Sequence, residues 1–120
     1  MNIQICATVI LLLCAISACS PKPEAPKQTD DALIRPIVIN NLKDPESARF
    51  GIITVIEGSF ACATVNAKNS LGGYTGDQQA FLTKLISGGW RLDEIRNFSH
   101  GDCIRLQNIK LKALRENKPR

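Results

Sequence analysis

Residues 3–18 form an apolar run without a single charge, centred on Val9-Ile10-Leu11-Leu12-Leu13, and this run decides how much of the chain is left to fold. At about 16 residues it is short for a bilayer, which takes roughly 20 residues of helix. Its length, and the small residues Ser17 and Ala18 that close it, are those of a secretory leader and its cleavage site. Met1-Asn2-Ile3-Gln4 brings no Lys or Arg, so the amino terminus is the only positive charge ahead of the run. Removal of residues 1–18 as a signal peptide leaves about 102 residues, enough for one small domain and too few for two.

The run ends in Ile16-Ser17-Ala18-Cys19. The order aliphatic-small-small-Cys resembles the lipobox of bacterial lipoproteins. That resemblance implies that Cys19 is lipidated on sulfur and becomes the mature N-terminus. At ~0.8 kcal/mol per buried CH₂, more than one acyl chain makes a stable membrane anchor. Ser20, where an Asp would favour retention at the inner membrane, implies the periplasmic leaflet of the outer membrane. A plain secretory leader and an uncleaved anchor are the alternatives.

Cysteine usage follows from the processing. Cys6 and Cys14 leave with the leader and Cys19 is acylated, so Cys62 and Cys103 remain in a compartment that oxidises thiols. A disulfide between them closes a loop of about 41 residues, worth on the order of 4 kcal/mol in the chain-entropy model. The rival reading is a reactive thiol near His100, three positions before Cys103, but no nucleophile motif surrounds either cysteine. No CxxC or HxxxH spacing supports a metal site, and no motif implies a cofactor.

The charge balance excludes one class of partner. Fifteen Lys and Arg against eleven Asp and Glu give a net charge of +4, with the signs interspersed. A nucleic-acid binder would show a clustered basic face. The excess is strongest at the C-terminus, where Lys110, Lys112, Arg115, Lys118 and Arg120 face Glu116 alone. Contact with anionic lipid head groups or an acidic partner is one reading of it. The solvated side of a last helix, with cations at its negative end, is the favoured one.

Along the mature chain, residues 19–30 are the lipidated Cys and a Pro-rich tether, and residues 31–120 a single globular domain. The tether SPKPEAPKQT carries three prolines, which favour an extended, semi-stiff spacer. Ten such residues at about 3.1 Å each reach roughly 30 Å. Asp30 or Asp31 offers an N-cap for a helix to about residue 42, with Pro36 in its first turn. Asp44-Pro45-Glu46-Ser47 has helix-start chemistry for one turn that delivers Phe50 to the core. Residues 52–56 and 60–67 read as strands joined by Glu57-Gly58-Ser59. A third strand spans about 79–86, and Ser87-Gly88-Gly89 turns it into a short fourth at 90–92. Residues 93–101 read mostly as loop, and Asp102 as the cap of a last helix to about 117. The pattern predicts an α+β fold: a small antiparallel sheet of three to four strands, flanked by an N-terminal and a C-terminal helix and stapled by one disulfide.

The most distinctive stretch is Cys62-Ala63-Thr64-Val65-Asn66-Ala67-Lys68-Asn69-Ser70-Leu71-Gly72-Gly73-Tyr74-Thr75-Gly76. With Asp44-Pro45-Glu46-Ser47-Ala48-Arg49-Phe50 it resembles a group of small, uncharacterised bacterial secreted proteins and lipoproteins that pair a DPxSAxF turn with a C-x-x-V-N-A-K-N-x-x-G-G-Y-x-G segment. Ala63 stands where that group often has Gly. The resemblance implies a domain type and no activity. Read physically, Asn66, Lys68, Asn69 and Tyr74 either grip a glycan, peptide or anion, or they build a demanding connection between strands together with Gly72, Gly73 and Gly76. The structural reading is favoured, because every residue has a local task available.

These features predict a lipid-anchored, periplasm-facing interaction module without catalysis, whose partners are the membrane and an envelope protein. The alternative is a cell-wall glycan or peptide ligand-binding domain that uses the Asn66-to-Tyr74 loop.

Overall fold

The computed structural model describes residues 26–119. The expected leader, Cys19 and the first part of the tether lie outside the described residues. Within them the chain runs α1 (Asp30–Ile39), a 3-10 turn (Pro45–Ser47), β1 (Arg49–Ile56), β2 (Phe60–Asn66), β3 (Gln78–Lys84), β4 (Trp90–Arg96) and α2 (His100–Glu116). The strands pair in sequence order, each antiparallel to the next. The fold is α+β, and Cys62 is disulfide-bonded to Cys103.

The period of two along β2 sorts its side chains between two helices. Ala61, Ala63 and Val65 meet Ala80 and Leu82 of β3 and the buried Ile34 and Val38 of α1. Phe60, Cys62 and Phe81 point the other way and pack with Cys103, Ile104 and Leu111 of α2. A sheet covered on both faces reads as a near-continuous buried run, and β2 is buried from Phe60 to Val65. Each large aliphatic fully buried this way, such as Ile34 or Leu82, contributes about 1.5–3 kcal/mol.

Two bulges reshape the edge strands. In β1, Phe50 pairs with Val65 and Ile53 with Ala63, so Gly51 and Ile52 share one position opposite Thr64. In β4, Glu94 pairs with Phe81 and Leu92 with Leu82, leaving Asp93 as the extra residue. The bulge turns both Leu92 and Ile95 toward α1, although they are three positions apart.

Several boundaries differ from the sequence reading. Helix α1 is capped by Thr29, whose Oγ1 accepts from Ala32 N, so the helix begins at residue 30 and Pro36 lies in its interior. Asp30 is drawn into the fold: its carboxylate accepts from Lys84 Nζ at 2.6 Å and Trp90 Nε1 at 2.9 Å. β3 stops at Lys84, and Leu85 and Ile86 leave the sheet. β4 continues through residues 93–96, where a loop was expected, because the bulge hides its alternation. Ser99, rather than Asp102, caps α2; its Oγ accepts from Asp102 N and donates to the Asp102 carboxylate.

Meander topology gives the sheet two unlike ends. The β1–β2 and β3–β4 turns, the start of α1 and the C-terminal end of α2 gather at one. The β2–β3 loop, the 3-10 turn, the end of α1 and the start of α2 gather at the other.

Candidate functional site

The loop from Asn66 to Gly76 lies at this second end, and it is built largely from its own hydrogen bonds. The Asn69 side-chain oxygen accepts from Leu71 N at 2.9 Å and Gly73 N at 3.2 Å, while Asn69 N donates to Gly73 O at 2.8 Å. An asparagine closing its own turn this way is spent on structure. Gly72 and Gly76 hold φ of 82° and 85°, a region that a side chain disfavours. Lys68 and Tyr74 form an isolated antiparallel bridge, and Thr75 N donates to Ala67 O.

The two separated sequence segments meet here. Ser47 of the 3-10 turn accepts from Lys68 N at 2.8 Å, and Arg49 pairs in register with Asn66. The Arg49 guanidinium stacks on the Tyr74 ring at 4.3 Å, and Lys68 Nζ lies 5.6 Å from the same ring. Tyr74, at 39 % exposed, thus presents an aromatic edge between two cations. Beside it Lys68 and Asn69, with Asn41, Lys43 and Gln78, line a cleft of about 270 Å³. Asn66 Oδ1 is buried and makes no hydrogen bond among the described residues. Of the predicted residues, Lys68 and Asn69 share the cleft and Tyr74 flanks Lys68; Gly72, Gly73 and Gly76 shape the turn.

The sequence reading missed a second polar cluster, on the α2 side of the same end. His100, the first residue of α2, reaches the sheet between β1, β2 and β3. Its Nδ1 lies 2.9 Å from Gln79 Oε1 and 3.1 Å from Thr64 Oγ1, and its Nε2 lies 2.8 Å from Thr54 Oγ1. Gln79 Nε2 donates to Thr64 Oγ1 at 3.1 Å. One assignment satisfies the group: Nδ1–H donates to Gln79 and the Thr54 hydroxyl donates to Nε2. Both ring nitrogens are then engaged, which leaves the imidazole no lone pair or proton for a substrate. A cleft of about 510 Å³ opens over the cluster, lined by Asp77, Asn97, Ser99 and the Gly51 bulge. A Cβ at Gly51 would lie 3.1 Å from Thr64 Cγ2, so this close approach suits glycine. The signal in the sequence was present but weak: Thr64 and Gln79 stand at inward positions of strands, where apolar side chains are the rule.

Cys62 and Cys103 lie directly beneath, with Cα atoms 6.1 Å apart. Their bond joins the middle of β2 to the first turn of α2 and removes the free thiol that a nucleophile beside His100 would require. Among the described residues no three His, Cys, Asp or Glu side chains group to hold a metal ion. None of their helices is long and apolar enough to cross a membrane. Compared with protein-family models, curated proteins and solved structures, the chain matches none.

Proposed function

We propose that this chain is a lipid-anchored, periplasm-facing interaction module that works by binding and not by catalysis. The observation that carries the reading is the Cys62–Cys103 disulfide at the centre of the sheet–helix interface. A buried structural bridge belongs to a compartment that oxidises thiols, which agrees with export by the 1–18 leader. The Ile16-Ser17-Ala18-Cys19 sequence then supplies the lipid, and the Pro-rich segment spaces the domain from the outer membrane. A tethered domain suits a partner fixed in the envelope, whereas an enzyme for small diffusible substrates gains little from an anchor.

Intact mass spectrometry of the protein from its native membrane, with and without reductant, tests this. The expected result is a chain that starts at Cys19, carries acyl mass and gains the mass of two hydrogens on reduction. An unlipidated chain, or two free thiols, overturns it.

A second reading is favoured by the Arg49–Tyr74–Lys68 arrangement. A half-exposed aromatic ring between two cations, beside a cleft, suits a sugar face or a carboxylate of cell-wall peptide. Retention on purified sacculi, lost in Tyr74→Ala, supports this reading; no retention leaves a protein partner.

A further inference from the structure

The end of the sheet where α1 begins carries apolar side chains with no cover. Ile86 is fully exposed at the β3–β4 turn, and Leu114 of α2 is 58 % exposed across a groove of about 440 Å³. Leu85 and Leu111 line the same groove, with Lys84, Arg115 and Lys118 around it. Lys84 is paired with Asp30 and Arg115 with Glu57, so Lys118 is the rim cation without an ion pair among the described residues. Exposed apolar tips beside an exposed cation are the composition of a surface that enters the head-group region of an anionic bilayer.

Position supports the same occupant. Lys84, on the rim of the groove, is the residue that holds Asp30 at the first turn of α1. The tether therefore enters the domain beside the groove. Ten residues, 20–29, separate Cys19 from Asp30, a reach of roughly 30 Å at about 3.1 Å each. A lipid on Cys19 thus joins the domain at this end, opposite the Asn66–Gly76 loop.

We propose that the β3–β4 turn and the C-terminal end of α2 form a second membrane contact, in which Ile86, Leu85 and Leu114 enter an anionic leaflet and Lys118, joined by Arg115 as it leaves the exposed Glu57, meets its phosphates. The contact rests on the anchored reading above for its biological setting, and it orients the domain so that the loop end faces away from the membrane. Each cation that meets the surface strengthens binding about fivefold at low salt, and salt weakens it.

Hydroxyl-radical footprinting of the full chain tests the contact, because one exposed aliphatic stands at each end: Ile86 near the tether and Leu71, 94 % exposed, in the far loop. The probe is vesicles of phosphatidylethanolamine and phosphatidylglycerol, compared with phosphatidylcholine alone. Oxidation of Ile86 and Leu85 should fall about fivefold on the anionic vesicles and recover in high salt, with Leu71 unchanged. Ile86→Glu, at a position that packs against nothing, should abolish protection of Leu85 and Leu114. Equal oxidation of Ile86 and Leu71 on anionic vesicles overturns the proposal. So does protection of Ile86 that needs no vesicles and grows with protein concentration, which assigns the surface to a second copy. Intact mass on the same sample separates the two ideas: an acylated chain with Ile86 unprotected keeps the anchor and loses the contact, and an unacylated chain with Ile86 protected does the reverse.

Discussion

At the tether end of the sheet, apolar side chains face water and the contacts that close the fold are ionic: Asp30 with Lys84, and Glu57 with Arg115. At the loop end polar side chains satisfy one another: His100 turns inward to Thr54, Thr64 and Gln79, and the exposed Asn69 closes its own turn. The two ends therefore differ in surface chemistry. A polar group already paired inside the protein has little left for a ligand, and an exposed aliphatic has its whole transfer free energy to give. The sequence left the loop two readings, with structure favoured and ligand binding as the alternative. In three dimensions Asn69 is spent on its own turn, while Lys68 and Tyr74 stay at the surface.

The disulfide gives the largest expected effect, because it joins the middle of β2 to the first turn of α2. Replacing both cysteines, Cys62→Ser with Cys103→Ser, should cost about 2–5 kcal/mol of unfolding free energy in urea. Hydrogen exchange should rise first at the N-terminal turns of α2, while the Asp30 end keeps its protection. A uniform rise would mean that the two ends unfold as one unit and that the contrast between them is only one of surface chemistry.

His100→Ala sharpens the contrast without touching the bridge. It strips Gln79 Oε1 and Thr54 Oγ1 of a partner, and Gln79 is only 2 % exposed. The Thr64 hydroxyl stays 3.2 Å from Gln79 Oε1, so the lost bonds should cost about 1–2 kcal/mol by urea denaturation. A loss below about 0.5 kcal/mol, the scatter of surface substitutions, would show that water replaces the ring and that the cleft above it is open to ligands after all.

Much of this architecture was legible. The pattern of helices and strands, the pairing of Cys62 with Cys103 and the turns at Gly58 and Gly88 followed from period, cysteine number and turn chemistry. What escaped was caused by particular residues. The bulge at Asp93 puts Leu92 and Ile95 on one face and breaks the alternation by which a strand is recognised. Thr29 outcompetes Asp30 as the cap because the Asp30 carboxylate is engaged by Lys84 and Trp90, residues more than fifty positions away. The His100 cluster joins four elements, and no local spacing announces a meeting of that kind. In the loop, Asn69 bonds within its own turn.

Asp30→Asn tests the tether end, with a smaller effect. The hydrogen bonds from Lys84 and then Trp90 hold the Asp30 carboxyl below its ordinary value, against a partial burial that would raise it. A carboxyl lowered by folding stabilises the folded state above its unfolded pKa of about 3.9, and that contribution disappears as pH falls through the folded value. The pair is partly exposed, so the loss at neutral pH should be about 1 kcal/mol. Once the pH lies below the lowered folded pKa the variant and the parent should converge, because both then carry a neutral group. A difference that persists in acid would mean that the side chain acts through packing of α1 and not through charge.

Tyr74→Ala has the smallest expected effect on stability and the most specific effect on function. The ring is partly exposed, and its contacts are with two cations that water solvates equally well, so the change should stay within about 0.5 kcal/mol. Thermal unfolding that matches the parent, with retention on sacculi abolished, would make the Arg49–Tyr74–Lys68 face a ligand site on an otherwise self-satisfied end. If stability instead falls by more than about 1 kcal/mol, the ring is holding the β2–β3 loop in place, and the cations are there to serve the ring. Arg49→Gln separates these outcomes further. It keeps a flat polar group over the ring and removes the charge, so a carboxylate ligand is lost while the loop stands.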